Sequence, residues 1–222
     1  MKYLNLLGIL LLTTIAGCNN NSKSNTSRKT DTVSTSIKTN TVTTKSTDNL
    51  KDKDDIRSLI RQMLKWSDSR KSVQLLPALE KDSICIGFDL EKLNKNLDTL
   101  RSTGFFADEF IDNYSQIIHT LDKKIKNNEF EKWNVYELPS FNFDNDVSPW
   151  CMCQDNLSWD KVEVEVIKLS DNKGDLKWYW GNLDPGTDPS WKDASYKFSV
   201  VKVDGKWEIS YLQGFDYKES IK

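Results

Sequence analysis

Histidine is almost absent from this chain of 222 residues, in which His119 is the only one. With one histidine, a Cys/His zinc site would have to rest on the cysteines, of which there are four. His119 itself sits beside Ile118 inside an apolar helical stripe, a setting that suits a structural or surface residue better than a catalytic base. No Gly-rich phosphate loop, no metal motif and no internal repeat appears. A positive field is missing too. Six of the 31 basic and two of the 33 acidic side chains fall in the first 50 residues, which leaves 25 and 31 in the remainder, a net charge near −6. Phosphate binding needs clustered positive charge, so nucleic acid is excluded as a partner. The one long apolar run, residues 6–15, is too short to cross a bilayer as a mature helix.

What is present at the start is a targeting pattern. Met1-Lys2 supplies a positive end, residues 6–15 an apolar region, and Ile15-Ala16-Gly17-Cys18 small residues closing on a cysteine. This pattern resembles the bacterial lipoprotein signal. The resemblance implies that residues 1–17 are removed and that Cys18 becomes an acylated N-terminus, a membrane anchor in the cell envelope. Residues 19–49 are almost entirely Asn, Ser, Thr and Lys, without an aromatic residue. Such a stretch cannot bury enough apolar surface to offset chain entropy, so residues 18–50 read as a lipidated cysteine and a disordered tether of about 30 Å root-mean-square span. The Asn-rich start after Cys18, free of an acidic cluster, points to the outer membrane on its periplasmic side.

Residues 51–222 fit one α+β domain. Its last third, residues 161–212, reads as a twisted antiparallel sheet of three strands, the third a hairpin. Val162, Val164 and Val166 alternate with Glu163 and Glu165; Trp178 and Trp180 share a face of the next strand. Tyr196, Phe198 and Val200 lead to Asp204-Gly205, a two-residue turn, and Trp207, Ile209 and Tyr211 return. The apolar phase slips at Val166/Ile167 and at Val200/Val201, which predicts bulges and a strongly bent sheet. Helical stripes come first: Ile56, Leu59, Ile60, Met63 and Leu64 behind a cap at Asp54 or Asp55; then Leu90, Leu93, Leu97 and Leu100 between Asp89 and Gly104. A longer helix over residues 107–126 carries Phe110, Ile111, Tyr114, Ile117, Ile118, Leu121 and Ile125. These stripes are the layer expected to pack on the sheet. Pro77 and residues 81–83 break the chain, Ile84-Cys85-Ile86 is a short apolar run, and residues 131–138 read as an additional edge strand.

Phe141-Asn142-Phe143-Asp144, followed by Asp146-Val147-Ser148-Pro149-Trp150-Cys151-Met152-Cys153-Gln154-Asp155, the N-terminal amphipathic helix and the terminal aromatic sheet resemble a family of bacterial lipoproteins of unknown function. That family has the cone-shaped fold named for nuclear transport factor 2, also called cystatin-like. The resemblance covers residues 52–213. It implies N-terminal helices wrapped on a strongly bent antiparallel sheet with a pocket at the open end, and no particular reaction, because this fold hosts enzymes and binding modules alike.

Candidate functional residues are few. Cys85, Cys151 and Cys153 remain once Cys18 is set aside. In an oxidising compartment the leading expectation is a disulfide from Cys85 to one of the other two, because bonding i to i+2 requires a tight turn. A Cys-Met-Cys site for a soft ion such as Cu(I) is the alternative. Asp144, Asp146 and Asp155 cluster before the sheet as ordinary turn residues, although oxygen ligands at such spacing also suit calcium. Six of the eight tryptophans fall in the final third. Trp178, Trp180 and Asp155 are candidate binding residues, and Trp191 is the strongest, since it lies in a polar loop where burial is not guaranteed. On this reading Trp191→Ala leaves thermal stability unaltered and weakens a partner. No cofactor is implied.

Two function classes follow. One is a non-catalytic binding module, for a protein partner (as in toxin-neutralising immunity proteins) or for a small envelope ligand held in the cone. The other is an enzyme using pocket carboxylates. The lack of a nucleophile with its base favours the first. Polar groups converging in a deep pocket would favour the second.

Overall fold

The computed structural model describes residues 41–222, with side chains from Leu50 onward. The signal peptide of residues 1–17, Cys18 and the tether as far as residue 40 lie outside the described residues. The first helix, α1 (Thr41–Ser67), begins upstream of Asp54 and Asp55, so neither caps it. Asp54 pairs instead with Arg57 one turn on, at 2.9 Å. The stripe is as expected: Ile56, Ile60, Met63 and Leu64 are fully buried and Leu59 nearly so.

A small sheet follows, β1 (Ala78–Lys81) paired antiparallel with β2 (Ile84–Phe88). Asp82 (φ 53°) and Ser83 (φ 65°) both take the left-handed conformation, which closes a two-residue hairpin where the sequence suggested only a break. The expected edge strand over residues 131–138 shrinks to a single bridge, Asn134 to Ile84, because the chain turns away at residues 135–137. Two bonds hold it there, Cys85 N–H to Trp133 O (2.9 Å) and Val135 N–H to Ser83 O (3.0 Å).

Helix α2 (Leu90–Thr103) starts where the Asp89 carboxylate accepts the Lys92 N–H at 3.0 Å and stops at Gly104, whose φ of 65° a side chain would oppose. Helix α3 (Asp108–Lys126) buries Phe110, Ile111, Tyr114, Ile117, Ile118 and Leu121. α2 packs on α3, α3 on β2, and the large sheet covers both α1 and α3.

That sheet has four strands, not three, in the order β3 (Val162–Leu169), β4 (Lys173–Trp180), β5 (Ser195–Val203), β6 (Lys206–Leu212), all antiparallel. The two arms of the Asp204-Gly205 hairpin count separately. One irregularity falls between Val166 and Lys168, leaving Ile167 unpaired and 58% exposed. The other lies opposite Ser199/Val200, where Ser210 of β6 is the extra residue. The slip read at Val200/Val201 therefore belongs to the neighbouring strand. Residues 105–107 run beside β6 and cover that edge, through Ile209 N–H to Phe105 O (2.8 Å) and Ala107 N–H to Ile209 O (3.0 Å).

The core is aromatic. Phe106 stacks on Phe110 at 4.6 Å, and Phe215 packs against both Phe110 and Trp150 at 4.8 Å. Tyr196 joins three segments: its hydroxyl donates to Pro149 O (2.6 Å) and accepts the Gly214 N–H (2.8 Å). A Cβ on Gly214 would fall 2.1 Å from Pro149 O.

The cysteines pair otherwise than expected. Cys151 and Cys153 form the disulfide, across 5.2 Å between Cα atoms, and Cys85 is free and buried on β2. The tight turn needed is supplied by Met152, at φ 52°.

Candidate functional site

The residues that mark a site lie away from the large sheet, on two clefts lined in common by Trp133. The larger, about 490 Å³, is lined by Cys85, Ile86, Lys81, Lys126, Phe130 and Trp133 among others. Its thiol is inert. Cys85 is 5% exposed and its Sγ donates to Gly87 O at 3.3 Å; burial, reinforced by the Asp122 charge, outweighs that bond and pushes the thiol pKa up. Lys126 is paired with Asp122 at 2.8 Å.

The smaller cleft, about 320 Å³, is lined by Gln74, Leu76, Ala78, Glu80, Trp133, Val135, Tyr136 and Asp144. Three segments build it. Residues 74–76 form one wall, pinned by Asn96 Nδ2 donating to Gln74 O (2.8 Å) and the Tyr114 hydroxyl donating to Leu75 O (2.9 Å). The 133–137 turn forms another, held by Trp133 Nε1 donating to Glu137 O (3.0 Å) and by Asn134 Oδ1 accepting the Tyr136 N–H (3.0 Å). Tyr136 is left 76% exposed. The third segment carries Asp144. Phe141 and Phe143 anchor it in the core, and Asn145 Nδ2 closes the loop onto Pro139 O and Phe141 O at 3.1 and 3.0 Å. Asp144 takes φ 55°, a conformation aspartate tolerates better than most side chains.

Asp144 is half-buried, and burial alone pushes its carboxyl above the usual range. Among the described residues neither Asp144 nor Glu80 has an ion-pair or hydrogen-bond partner for its side chain. Burial, and after it the Asp144 charge, also raises the Tyr114 phenol, which stays protonated.

The sequence's own candidates are placed elsewhere. Trp178 and Trp180 are 2% and 4% exposed and pack among Trp159 and Tyr196, so they belong to the core rather than to a binding face. Trp178 Nε1 is buried without an acceptor among the described residues. Trp191 is not at a loop tip: it opens into the short helix α4 (Ser190–Asp193), is half-buried, and meets Trp180 edge-on at 5.7 Å. Asp155 is exposed and lines neither cleft. His119 is exposed on α3. Asp144, Asp146 and Asp155 do not converge: no group of three or more His, Cys, Asp or Glu side chains among the described residues is placed to hold a metal ion. Gln74, Glu80, Trp133 and Tyr136 were not singled out from the sequence, because no spacing links three segments that only the fold assembles. No described helix is long and apolar enough to cross a membrane. No protein-family model matches the chain, and neither a curated protein nor a solved structure does, so the chemistry of the cleft is read from its own residues.

Proposed function

We propose that the protein is an exported lipoprotein, acylated at Cys18 and tethered to the outer membrane on its periplasmic side. Its cone-shaped, cystatin-like domain serves as a non-catalytic binding module for a protein partner. The targeting half of this reading is supported by Met1-Lys2, the apolar run and Ile15-Ala16-Gly17-Cys18. One observation carries the binding half. Leu79, Ile86, Tyr136 and Leu138, on the small sheet and the turn beside it, are 42, 49, 76 and 61% exposed, half of the eight large apolar side chains exposed among the described residues. Apolar surface gathered in one region favours a macromolecular contact. A small ligand held inside the cone is the weaker form, because Phe106, Phe110, Trp150 and Phe215 fill the interior.

A second reading, an enzyme working through cleft carboxylates, is favoured by the raised Asp144 carboxyl, which suits a general acid. The cleft lining offers it no nucleophile paired with a base.

The test has two arms. Fatty-acid labelling of the full chain should mark the wild type and spare Cys18→Ala. Photo-crosslinkers at Ile86 and Tyr136 should capture one stoichiometric protein, lost in Leu79→Lys. An unlabelled wild type together with crosslinkers that capture nothing would sink the reading.

A further inference from the structure

We infer that the Cys151–Cys153 bridge is a reversible redox site, a disulfide that exchanges with an external dithiol while the domain stays folded. The inference goes beyond the binding role proposed above and draws on different residues.

The turn that carries the bridge is held without it. Ser148 N–H donates to Cys153 O (3.0 Å), and Ser148 O accepts the N–H groups of Met152 (2.7 Å) and Cys151 (3.2 Å). Pro149 O accepts the Tyr196 hydroxyl, and Trp150, 5% exposed, packs against Phe215 at 4.8 Å and Trp66 at 5.6 Å. Backbone bonds and aromatic packing therefore fix residues 148–153 by themselves. The disulfide encloses a single residue, and the stabilisation a bridge supplies shrinks with the loop it closes, so the fold gains little from this one. Such a bridge can open and close without unfolding the protein.

Closure also constrains the backbone. Met152, the enclosed residue, takes φ 52°, a left-handed conformation that an unbranched apolar side chain does not favour. Opening the ring lets that residue relax. Disulfides that are strained or exposed are the readily reduced ones, whereas structural bridges resist the glutathione pool.

The two sulfurs are unequal. Cys151 is 8% exposed, whereas Cys153 is half-buried and leads directly into exposed Gln154 and Asp155. An external thiolate therefore attacks Cys153 Sγ; the bond to Cys151 breaks, its electron pair leaves on Cys151 Sγ, which takes up a proton, and a mixed disulfide joins the reagent to Cys153. The reagent's second thiolate then attacks its own sulfur in that mixed disulfide, and Cys153 leaves and is protonated in turn. Cys151 and Cys153 together gain two electrons and two protons, and the dithiol is oxidised to a disulfide. Cys85, the remaining cysteine among the described residues, is buried and free, so the dithiol comes from a second molecule.

The test exposes the native, oxidised full chain to millimolar reduced glutathione, followed by acid quenching, alkylation and mass spectrometry of the cysteine peptides. Cys151 and Cys153 should become reduced while Cys85 stays unmodified, and one equivalent of dithiothreitol should yield its cyclic disulfide stoichiometrically. The melting temperature of the reduced protein should fall by less than about 8 °C, which separates exchange from unfolding. Treated with oxidised glutathione, Cys151→Ser should hold the adduct on Cys153, and Cys153→Ser should hold less than about a tenth as much on Cys151. A bridge that stays closed in millimolar glutathione until urea unfolds the protein, a larger fall in melting temperature, or equal adducts in the two variants overturns the site. The wild-type glutathione measurement decides whether or not the variants fold.

Discussion

The Asp122 carboxylate, near the end of α3, accepts the backbone N–H of Phe88 at 2.8 Å and so fastens the small sheet to the helix layer. Its second oxygen meets Lys126 Nζ at 2.8 Å. Gly87 makes the approach possible: its φ is 138°, and a Cβ there would lie 2.7 Å from Asp122 Oδ1.

Asp122→Ala should therefore destabilise the protein by about 2–3 kcal/mol, since it leaves the Phe88 N–H buried and unpaired. Gly87→Ala should also destabilise, through both the clash and the backbone conformation. Urea unfolding measures the two. A change within about 0.5 kcal/mol for Asp122→Ala would show that water reaches the freed N–H.

Asp144→Asn should stabilise the protein at pH 7. A carboxyl whose pKa is raised by folding contributes stability while protonated, present in full below its unfolded pKa and lost as pH climbs through its folded value. Above that value the charge is a net cost, which asparagine removes. Melting temperatures should rise in the variant at pH 7 and match the wild type at pH 3. An unchanged melting temperature at pH 7 would mean that the carboxylate is fully hydrated.

Asp52 has the opposite sign. Desolvation pushes its carboxyl up, but hydrogen bonds from Lys202 Nζ (2.7 Å) and Trp207 Nε1 (2.9 Å), with the Lys202 and Lys51 charges, outweigh this and leave it below the usual range. Lys202 also lies 4.5 Å over the Trp207 ring. The Asp52 contribution is therefore present above the unfolded carboxylate pKa and lost as pH falls through the lowered folded value. Asp52→Asn should cost about 1–2 kcal/mol at neutral pH and progressively less in acid. A cost independent of pH would assign the effect to packing.

Trp191→Ala should lower stability by about 1–2 kcal/mol, from lost burial and the edge-on contact with Trp180. This reverses the expectation of a free loop residue. A melting temperature equal to wild type would restore it.

Thiol labelling tests the cysteine assignment. In native protein Cys85 should resist iodoacetamide, and after denaturation without reductant it should react while Cys151 and Cys153 do not. The bridge spans two residues, so the loop-entropy account assigns it only about 1.5 kcal/mol. Labelling of Cys151 or Cys153 without reductant would contradict the pairing.

Local chemistry was legible in the sequence, and tertiary assembly was not. Asp89 and Gly104 announce α2 because a cap and a left-handed stop act within one turn, and Asp204-Gly205 announces its hairpin for the same reason. The hairpin at Asp82-Ser83 was hidden because it reaches positive φ without glycine or asparagine. Cys151–Cys153 turned on the conformation of one residue, Met152, that no spacing rule predicts. Trp178 and Trp180 offered the same alternation whether their faces met core or ligand, and only the packing of Trp159 and Tyr196 on them decides. Asp144 looked like any turn aspartate. Its lack of a partner is a property of its neighbours, which arrive from residues 74–80 and 133–136.

The Tyr196 joint bears on how such a chain can change over generations. Gly214 admits no side chain against Pro149 O, and the tyrosine hydroxyl serves both neighbours at once, so two positions 18 residues apart are locked while the surface between them is free to drift. Any variant that keeps this joint must therefore keep a hydroxyl able to reach both Pro149 O and the position 214 N–H, and must leave position 214 without a side chain.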